Sequence, residues 1–273
     1  MTFHLSKLHG AGNDFLVTVA DRAPDATTVA GLCDRHRGVG ADGLITLLPA
    51  RGEGDCAMEL RNADGSRAEM SGNGVRCLAW VANRRGIGDG KHLVVETAAG
   101  RREVELELDV AGDVAGATVD MGPVTFEPAR IPLDAASPFG LEATFHGMTY
   151  QGDAAGMGNP HFVLFVDDPV TARVTQHGPR LEHDERFPND TNVEFVAVTG
   201  TDELTLRVWE RGVGETLSCG TGVCAAAAVA HRRDVVGESV LVHVPGGEHR
   251  VELGDTVRLH GPVVHVFDTE VEL

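Results

Sequence analysis
The chain carries two copies of one loop-to-helix segment, and the copies differ at one chemically decisive position. Ser71-Gly72-Asn73-Gly74-Val75 opens an apolar run ending at Val81-Ala82, and Cys219-Gly220-Thr221-Gly222-Val223 opens another ending at Val229-Ala230. Small residues allow a tight approach of the backbone, and the Ala, Val, Leu and Cys that follow supply helical packing. Further segments repeat in the same order. The stretch 9–17 aligns with 156–163, setting Asn13 opposite Asn159; 94–106 aligns with 241–253; and Met121-Gly122-Pro123-Val124 echoes His260-Gly261-Pro262-Val263. The offset is 146 positions for the two asparagines and 148 for Ser71 and Cys219. So long a period is not a solenoid repeat; it is a duplicated domain. The 94–106 and 241–253 segments each read as alternating strands around a glycine turn. Helices are expected from Gly72 to about Arg84-Arg85 and from Gly220 to about Arg232-Arg233. The expected fold is α/β of the α+β kind: an internally duplicated two-domain chain, each half a mostly antiparallel sheet or barrel around a central helix. The expected halves are residues 1–121 with a C-terminal strand at 263–273, and residues 122–262.

Duplication has a chemical consequence. A helix start presents unpaired backbone N–H groups and the positive end of the dipole, which suit a carboxylate. A thiol there is expected to have a lowered pKa. If the halves face each other, with the active site in the cleft, positions 71 and 219 reach one carbon from opposite sides. One group removes a proton and the other returns one to the opposite face, which inverts a stereocentre. Backbone donors at the helix starts would stabilise the enediolate-like charge that develops. No cofactor is needed.

Composition narrows the partners. The 273 residues are 42% hydrophobic and 23% charged, an ordinary globular balance. No apolar run approaches the roughly 18–20 residues that span a bilayer, and the first residues lack a secretory pattern, so a cytoplasmic location is expected. A net charge of −18 argues against nucleic acid and anionic membranes as partners. Five cysteines without a C-x-x-C pair disfavour disulfides and zinc ribbons, and thirteen histidines without ligand spacing disfavour a metal. Lys7 and Lys91 are the only lysines, neither in a motif suited to a Schiff base. Cys77 and Cys224 read as helix packing, Cys33 and Cys56 as structural. Arg84-Arg85 and Arg232-Arg233 read as cations opposing helix C-terminal dipoles, and His183-Asp184-Glu185-Arg186 as a solvated loop. Glu210-Arg211, just ahead of the Cys219 turn, reads as part of a site rather than a surface ion pair.

Several motifs together resemble one family. Asn62-Ala63-Asp64-Gly65-Ser66 followed by Ser71-Gly72-Asn73-Gly74-Val75-Arg76-Cys77 is similar to the first catalytic segment of diaminopimelate epimerases. Glu210-Arg211-Gly212-Val213-Gly214-Glu215-Thr216 followed by Cys219-Gly220-Thr221-Gly222 is similar to the second. Gly10–Phe15, Arg37–Gly43, Gly158-Asn159-Pro160-His161 and Asn192-Val193 also fit, so the resemblance runs nearly full length. It implies a cofactor-independent epimerase, with no metal, that interconverts LL- and meso-diaminopimelate on the way to lysine and peptidoglycan. It also implies two α/β domains with a cleft and a homodimer. Cys219 would be one acid/base, with Ser71 in the place of the other. Asn13, Asn62, Asn159 and Asn192, with Glu210 and Arg211, would hold the substrate's ammonium and distal carboxylate ends. A guanidinium suits the distal carboxylate because it can bind it bidentately. Gly72, Asn73, Gly220 and Thr221 would bind the carboxylate at the reacting centre, with His161 supporting.

Two positions depart from the pattern. Gly43 stands where some members have a polar side chain. Ser71 stands where the family has cysteine, and a hydroxyl is a far weaker acid than a thiol, whose reference pKa is about 8.5. Three readings of the serine stand open: a working second acid/base, an engineered change that silences the enzyme, and the mark of a relative that binds without epimerising. Rival chemistries are a proline or hydroxyproline epimerase or a phenazine-type isomerase on the same scaffold, a thiol hydrolase using Cys219 and His161, and a non-catalytic amino-acid-binding protein.

Overall fold
A computed structural model describes residues 2–68, 70–145 and 147–272. The chain divides into two compact units, residues 1–120 with 260–273, and residues 121–259. The first contains β1 (Thr2–Gly10), β2 (Asn13–Val19), α1 (Ala26–Cys33), β3 (Gly43–Pro49), β4 (Cys56–Asn62), β5 (Arg67–Ala68), α2 (Gly72–Arg84), β6 (His92–Thr97), β7 (Gly100–Leu108) and β8 (Val114–Asp120). The second contains β9 (Leu141–Phe145), β10 (Met148–Gly156), β11 (Pro160–Phe165), α3 (Val174–Glu182), β12 (Asn192–Gly200), β13 (Glu203–Glu210), β14 (Gly214–Thr216), α4 (Gly220–Arg232), β15 (Ser239–Val244) and β16 (Gly247–Glu252). The chain then runs through β17 (Arg258–Pro262) and β18 (Val264–Glu272), and β18 pairs antiparallel with β1.

Strand pairing repeats step for step. In the first unit β1/β2 is antiparallel, β2/β3 parallel, β3/β4 and β4/β5 antiparallel, β4/β6 parallel and β6/β7 antiparallel. In the second, β10/β11, β11/β12, β12/β13, β13/β14, β13/β15 and β15/β16 follow the same sequence of directions. The fold is mixed α/β, sheet-dominated and internally duplicated.

The two long helices are central, α4 because it is almost wholly apolar and α2 because its long run of apolar residues carries two polar side chains inward. Gly72–Ala82 and Gly220–Ala230 are buried without interruption, and α2 carries Asn73 and Arg76 inside by pairing them with each other. Strands β1, β2, β3, β4, β7 and β8 pack against α2, and β10, β11, β12, β13, β15 and β16 pack against α4. The four alanines Ala225–Ala228 let those strands come close. Cys77 and Cys224 are fully buried in the helices, and Cys33 and Cys56 lie in the first unit's core. Burial pushes the Cys77 thiol up to about 12.

Two surface expectations need correction. The cations at the helix ends do more than oppose a dipole: Arg84 lies 4.8 Å over Trp80, Arg232 lies 4.0 Å over Phe139, and Arg233 bonds both oxygens of Asp153 at 2.7 and 3.0 Å. The 183–186 segment is only partly solvated. Arg186 bonds Asp184 at 2.8 and 2.6 Å and covers Phe162, so the ion pair caps the second unit's core.

Candidate active site
In the first unit, Asn13 is delivered by a two-residue hairpin. Gly10 pairs with Asn13, and Ala11 and Gly12 both have positive φ, +49° and +79°, as a type I′ turn requires. The Asn13 amide donates to Asp42 at 2.8 Å, and its carbonyl accepts from Asn73 at 3.2 Å. Arg76, buried in α2, donates in turn to the Asn73 carbonyl. Asp42 is itself held by Arg35 at 2.8 Å, and Arg35 also forks onto Asp14 at 3.0 and 2.6 Å. Lys7 donates to Asp14 and to the Gly40 carbonyl. Burial pushes the Asp14 carboxyl up, but the hydrogen bonds and charges of Arg35 and Lys7 outweigh it and bring it to about 2. Both amide ends of Asn13 are thus assigned by a network anchored in fixed charges. The buried charges of this network, Lys7 and Asp14, and its Arg35 and Asp42 were not singled out as site residues from sequence. The only available signal was the adjacency of Asp14 and Asp42 to the Gly-rich motifs.

Asn62 closes the neighbouring turn, donating to the Ser66 hydroxyl at 3.0 Å, while the Asp64 carboxylate accepts from the Ser66 N–H and O–H. Gly43 has no room for a side chain, since a Cβ there would lie 2.5 Å from the Arg61 carbonyl. Ser71 is the N-cap of α2, and its Oγ accepts the Gly74 N–H at 3.0 Å, a standard helix cap. Gly72 and Asn73 form the first turn and are buried.

The second unit repeats this with a different outcome. Cys219 is the N-cap of α4, in extended backbone like Ser71, and its sulfur faces the Gly222 N–H, the counterpart of Gly74, without closing the hydrogen bond that Ser71 makes. Sγ lies 3.5 Å from the Thr221 hydroxyl and faces the Glu210 carboxyl. Glu210 accepts from the Thr216 hydroxyl. Burial, then the charges of Glu210 and Glu194, push the Cys219 thiol well above its ordinary value, against the pull of Thr221 and the Gly222 N–H. The sequence expectation of a lowered pKa is therefore reversed. A helix N-terminus contributes about 1 kcal/mol, less than desolvation and two facing carboxyl groups. Burial likewise raises the Glu210 carboxyl.

His161 is fully buried, with Nδ1 2.7 Å from Glu194 and Nε2 2.9 Å from the Asn159 carbonyl. Asn159 donates to Thr221 at 3.3 Å. Asn192 is spent inside the protein: its amide donates to the Pro160 carbonyl at 2.9 Å, and its carbonyl accepts the Arg211 N–H at 3.0 Å. Asn192 thereby fixes the backbone from which Arg211 projects. The Arg211 guanidinium donates to the Asn189 carbonyl at 3.0 Å. Glu182, at the end of α3, accepts from Trp209 Nε1 at 2.7 Å and from the Gly212 N–H at 2.6 Å, so it pins the Glu210–Gly212 turn from behind. Glu182 and Glu194 carried no sequence signal beyond their charge.

Among the described residues one trio, Glu182, His183 and Asp190, brings ligand-type atoms within 4.8 Å. Both Glu182 oxygens are engaged by N–H donors and His183 bonds Asp190, so the set is already internally satisfied.

Each unit therefore offers a buried helix start, an N-cap bearing a weak acid, and asparagines locked by their own networks. The model of the diaminopimelate epimerase family matches residues 5–127 and 154–266. The diaminopimelate epimerase of Moorella thermoacetica is 42% identical over 97% of this chain and 97% of its own. That of Acinetobacter baumannii strain AYE is 40% identical over 100% and 98%. Among solved structures, a hydroxyproline epimerase from Agrobacterium vitis superposes with a TM-score of 0.75 at 18% identity, covering 99% of this chain and 91% of that one. A PhzF-family phenazine biosynthesis protein from Bacillus anthracis gives 0.73 at 15% identity, covering 100% of both. At such identities the structural matches speak for the fold alone.

Proposed function
Because the chain belongs to the diaminopimelate epimerase family, we propose that it interconverts LL- and meso-diaminopimelate by a two-base mechanism without a cofactor. The observation that carries this reading is the pair of matched helix N-caps bearing Ser71 and Cys219, each followed by buried backbone donors. Epimerisation needs a proton acceptor on one face of the α-carbon and a donor on the other, and these are the two groups the chain offers. Cys219 passes its proton to Glu210, whose raised pKa suits it to hold one, and the thiolate then removes the α-proton. The N–H groups of the helix starts, at Gly72-Asn73 and Gly220-Thr221, hold the α-carboxylate as charge builds on it. Arg211 binds the distal carboxylate, and Asn13, Asn62 and Asn159 bind polar ends of the substrate.

Ser71 is the second acid/base in this proposal. Its oxygen is occupied by the Gly74 N–H, which leaves the hydroxyl proton free to be given to the carbanion. The same N–H steadies the alkoxide left behind. The enzyme works as a cytoplasmic homodimer; exposed Val264, Val266 and Phe267 on β18 supply an apolar face for a second copy. No described helix is long and apolar enough to cross a membrane.

The test is to incubate the protein separately with LL-diaminopimelate, L-proline and trans-4-hydroxy-L-proline, and to separate stereoisomers. Formation of meso-diaminopimelate alone is expected. Epimerisation of a proline with diaminopimelate untouched would replace this reading with the rival one.

A further inference from the structure
We infer that Glu194 is a positioning residue: through His161, Asn159 and Thr221 it aims a hydroxyl proton at the Cys219 sulfur. The inference rests on Cys219 being the reactive group proposed above. Glu194 and His161 are fully buried on the parallel strands β12 and β11, 2.7 Å apart, and among the described residues Glu194 Oε2 has no hydrogen-bond partner. The carboxyl reaches under the first turn of α4 only because residue 222 is glycine, since a Cβ there would lie 2.6 Å from Oε1.

The direction of the relay follows from donor and acceptor counting. The Asn159 amide donates to Thr221 Oγ1, so its carbonyl is the end that faces His161 Nε2, and Nε2 is the donor there. That N–H donates to the Asn159 carbonyl at 2.9 Å, which turns the Asn159 amide toward Thr221 Oγ1 at 3.3 Å. Thr221 Oγ1 lies 3.5 Å from Sγ, and the relay assigns the hydroxyl as the donor to sulfur. In this arrangement sulfur faces Glu210 on one side and receives the Thr221 proton on the other.

Other titratable groups do not duplicate this. Glu210 on β13 and Glu194 are the ones whose charges act on the sulfur, and His161 acts on Glu210. From β16, His249 bonds Ser218 at 2.8 Å, and from β10, Asp153 pairs with Arg233 at the far end of α4. On β15, His243 pairs outward with Glu248.

The sign of one measurement separates the relay from simple charge repulsion. Cys219 alkylation by iodoacetamide is followed against pH by peptide mass spectrometry in the full chain without substrate. Were Glu194 only a negative charge near sulfur, Glu194→Leu and Glu194→Gln would both speed alkylation. The relay predicts that Glu194→Leu slows it about tenfold, equivalent to a rise of about one pH unit in the midpoint. Glu194→Gln, which can still donate to Nδ1, stays within about twofold of the native rate. Thr221→Val slows alkylation like Glu194→Leu, and the double variant adds little more. Faster alkylation in either Glu194 variant overturns the inference. If Glu194→Leu fails to fold, the Gln and Val variants still decide, because unchanged and faster are opposite results for Gln. Since no diaminopimelate is used, failure of turnover with the predicted alkylation pattern would remove the epimerase reading and leave the relay standing.

Discussion

At the scale of single residues, the site is set by charges that lock neutral amides. Asp14, held near 2 by Arg35 and Lys7 against the cost of burial, lies far below its unfolded value near 4. A depressed carboxylate contributes stability that is present above the unfolded pKa and is lost as pH falls through the folded one. Asp14→Asn should therefore cost about 2 kcal/mol at pH 6, and the difference from the native chain should shrink between about pH 5 and 2. Urea unfolding across that range checks it, and a cost independent of pH would refute it. Arg211→Ala should raise KM for diaminopimelate steeply, because a buried carboxylate would lose its partner, a loss of roughly 2–5 kcal/mol. Steady-state kinetics decides this; an unchanged KM and kcat would make Arg211 a bystander. The sequence displayed Cys219 and Ser71 openly, through motif and repeat. It could not display the thiol's raised pKa, which comes first from burial and then from carboxyl groups on other strands, or the internal use of Asn192, which depends on Pro160 and Arg211.

Among the secondary-structure elements, glycine decides how closely strand and helix approach. Gly222→Ala drives a Cβ to 2.6 Å from Glu194, and the buried carboxyl cannot simply swing away. Destabilisation of about 1–3 kcal/mol is expected, together with slower Cys219 alkylation. Gly31 in α1 is the control: nothing lies within 4 Å of a Cβ there. Gly31→Ala should stabilise by about 0.5–1 kcal/mol through helix propensity. Denaturation midpoints for the two variants should move in opposite directions; a shared direction would mean that space around the glycines is not what matters. Helices α2 and α4 were legible to within a residue because each opens with a glycine turn and continues as a long, mostly apolar run. By contrast α1 and α3 are short, eight and nine residues, and α3 contains Gly178 and Pro179 and has no side-chain cap. Tertiary contact, not local propensity, holds α3: Gly178 lies against Trp209, and Glu182 ties its end to the Glu210–Gly212 turn.

For the whole molecule, the duplication seen in sequence reappears as the same succession of strand pairings in both units, yet the chemistry has diverged. One N-cap is a hydroxyl serving its own helix, and the other is a thiol facing two carboxyl groups. Ser71→Cys should restore a matched thiol pair and raise turnover, whereas Cys219→Ala should abolish it. The most direct measurement follows LL-diaminopimelate in deuterium oxide by combined mass and chiral analysis. The account predicts deuterium at the α-carbon of both the meso product and the returned LL isomer. Exchange into LL should outrun conversion, because Ser71 is the slower partner, and both should vanish in Cys219→Ala. Diaminopimelate that binds but acquires no α-deuterium would contradict the account.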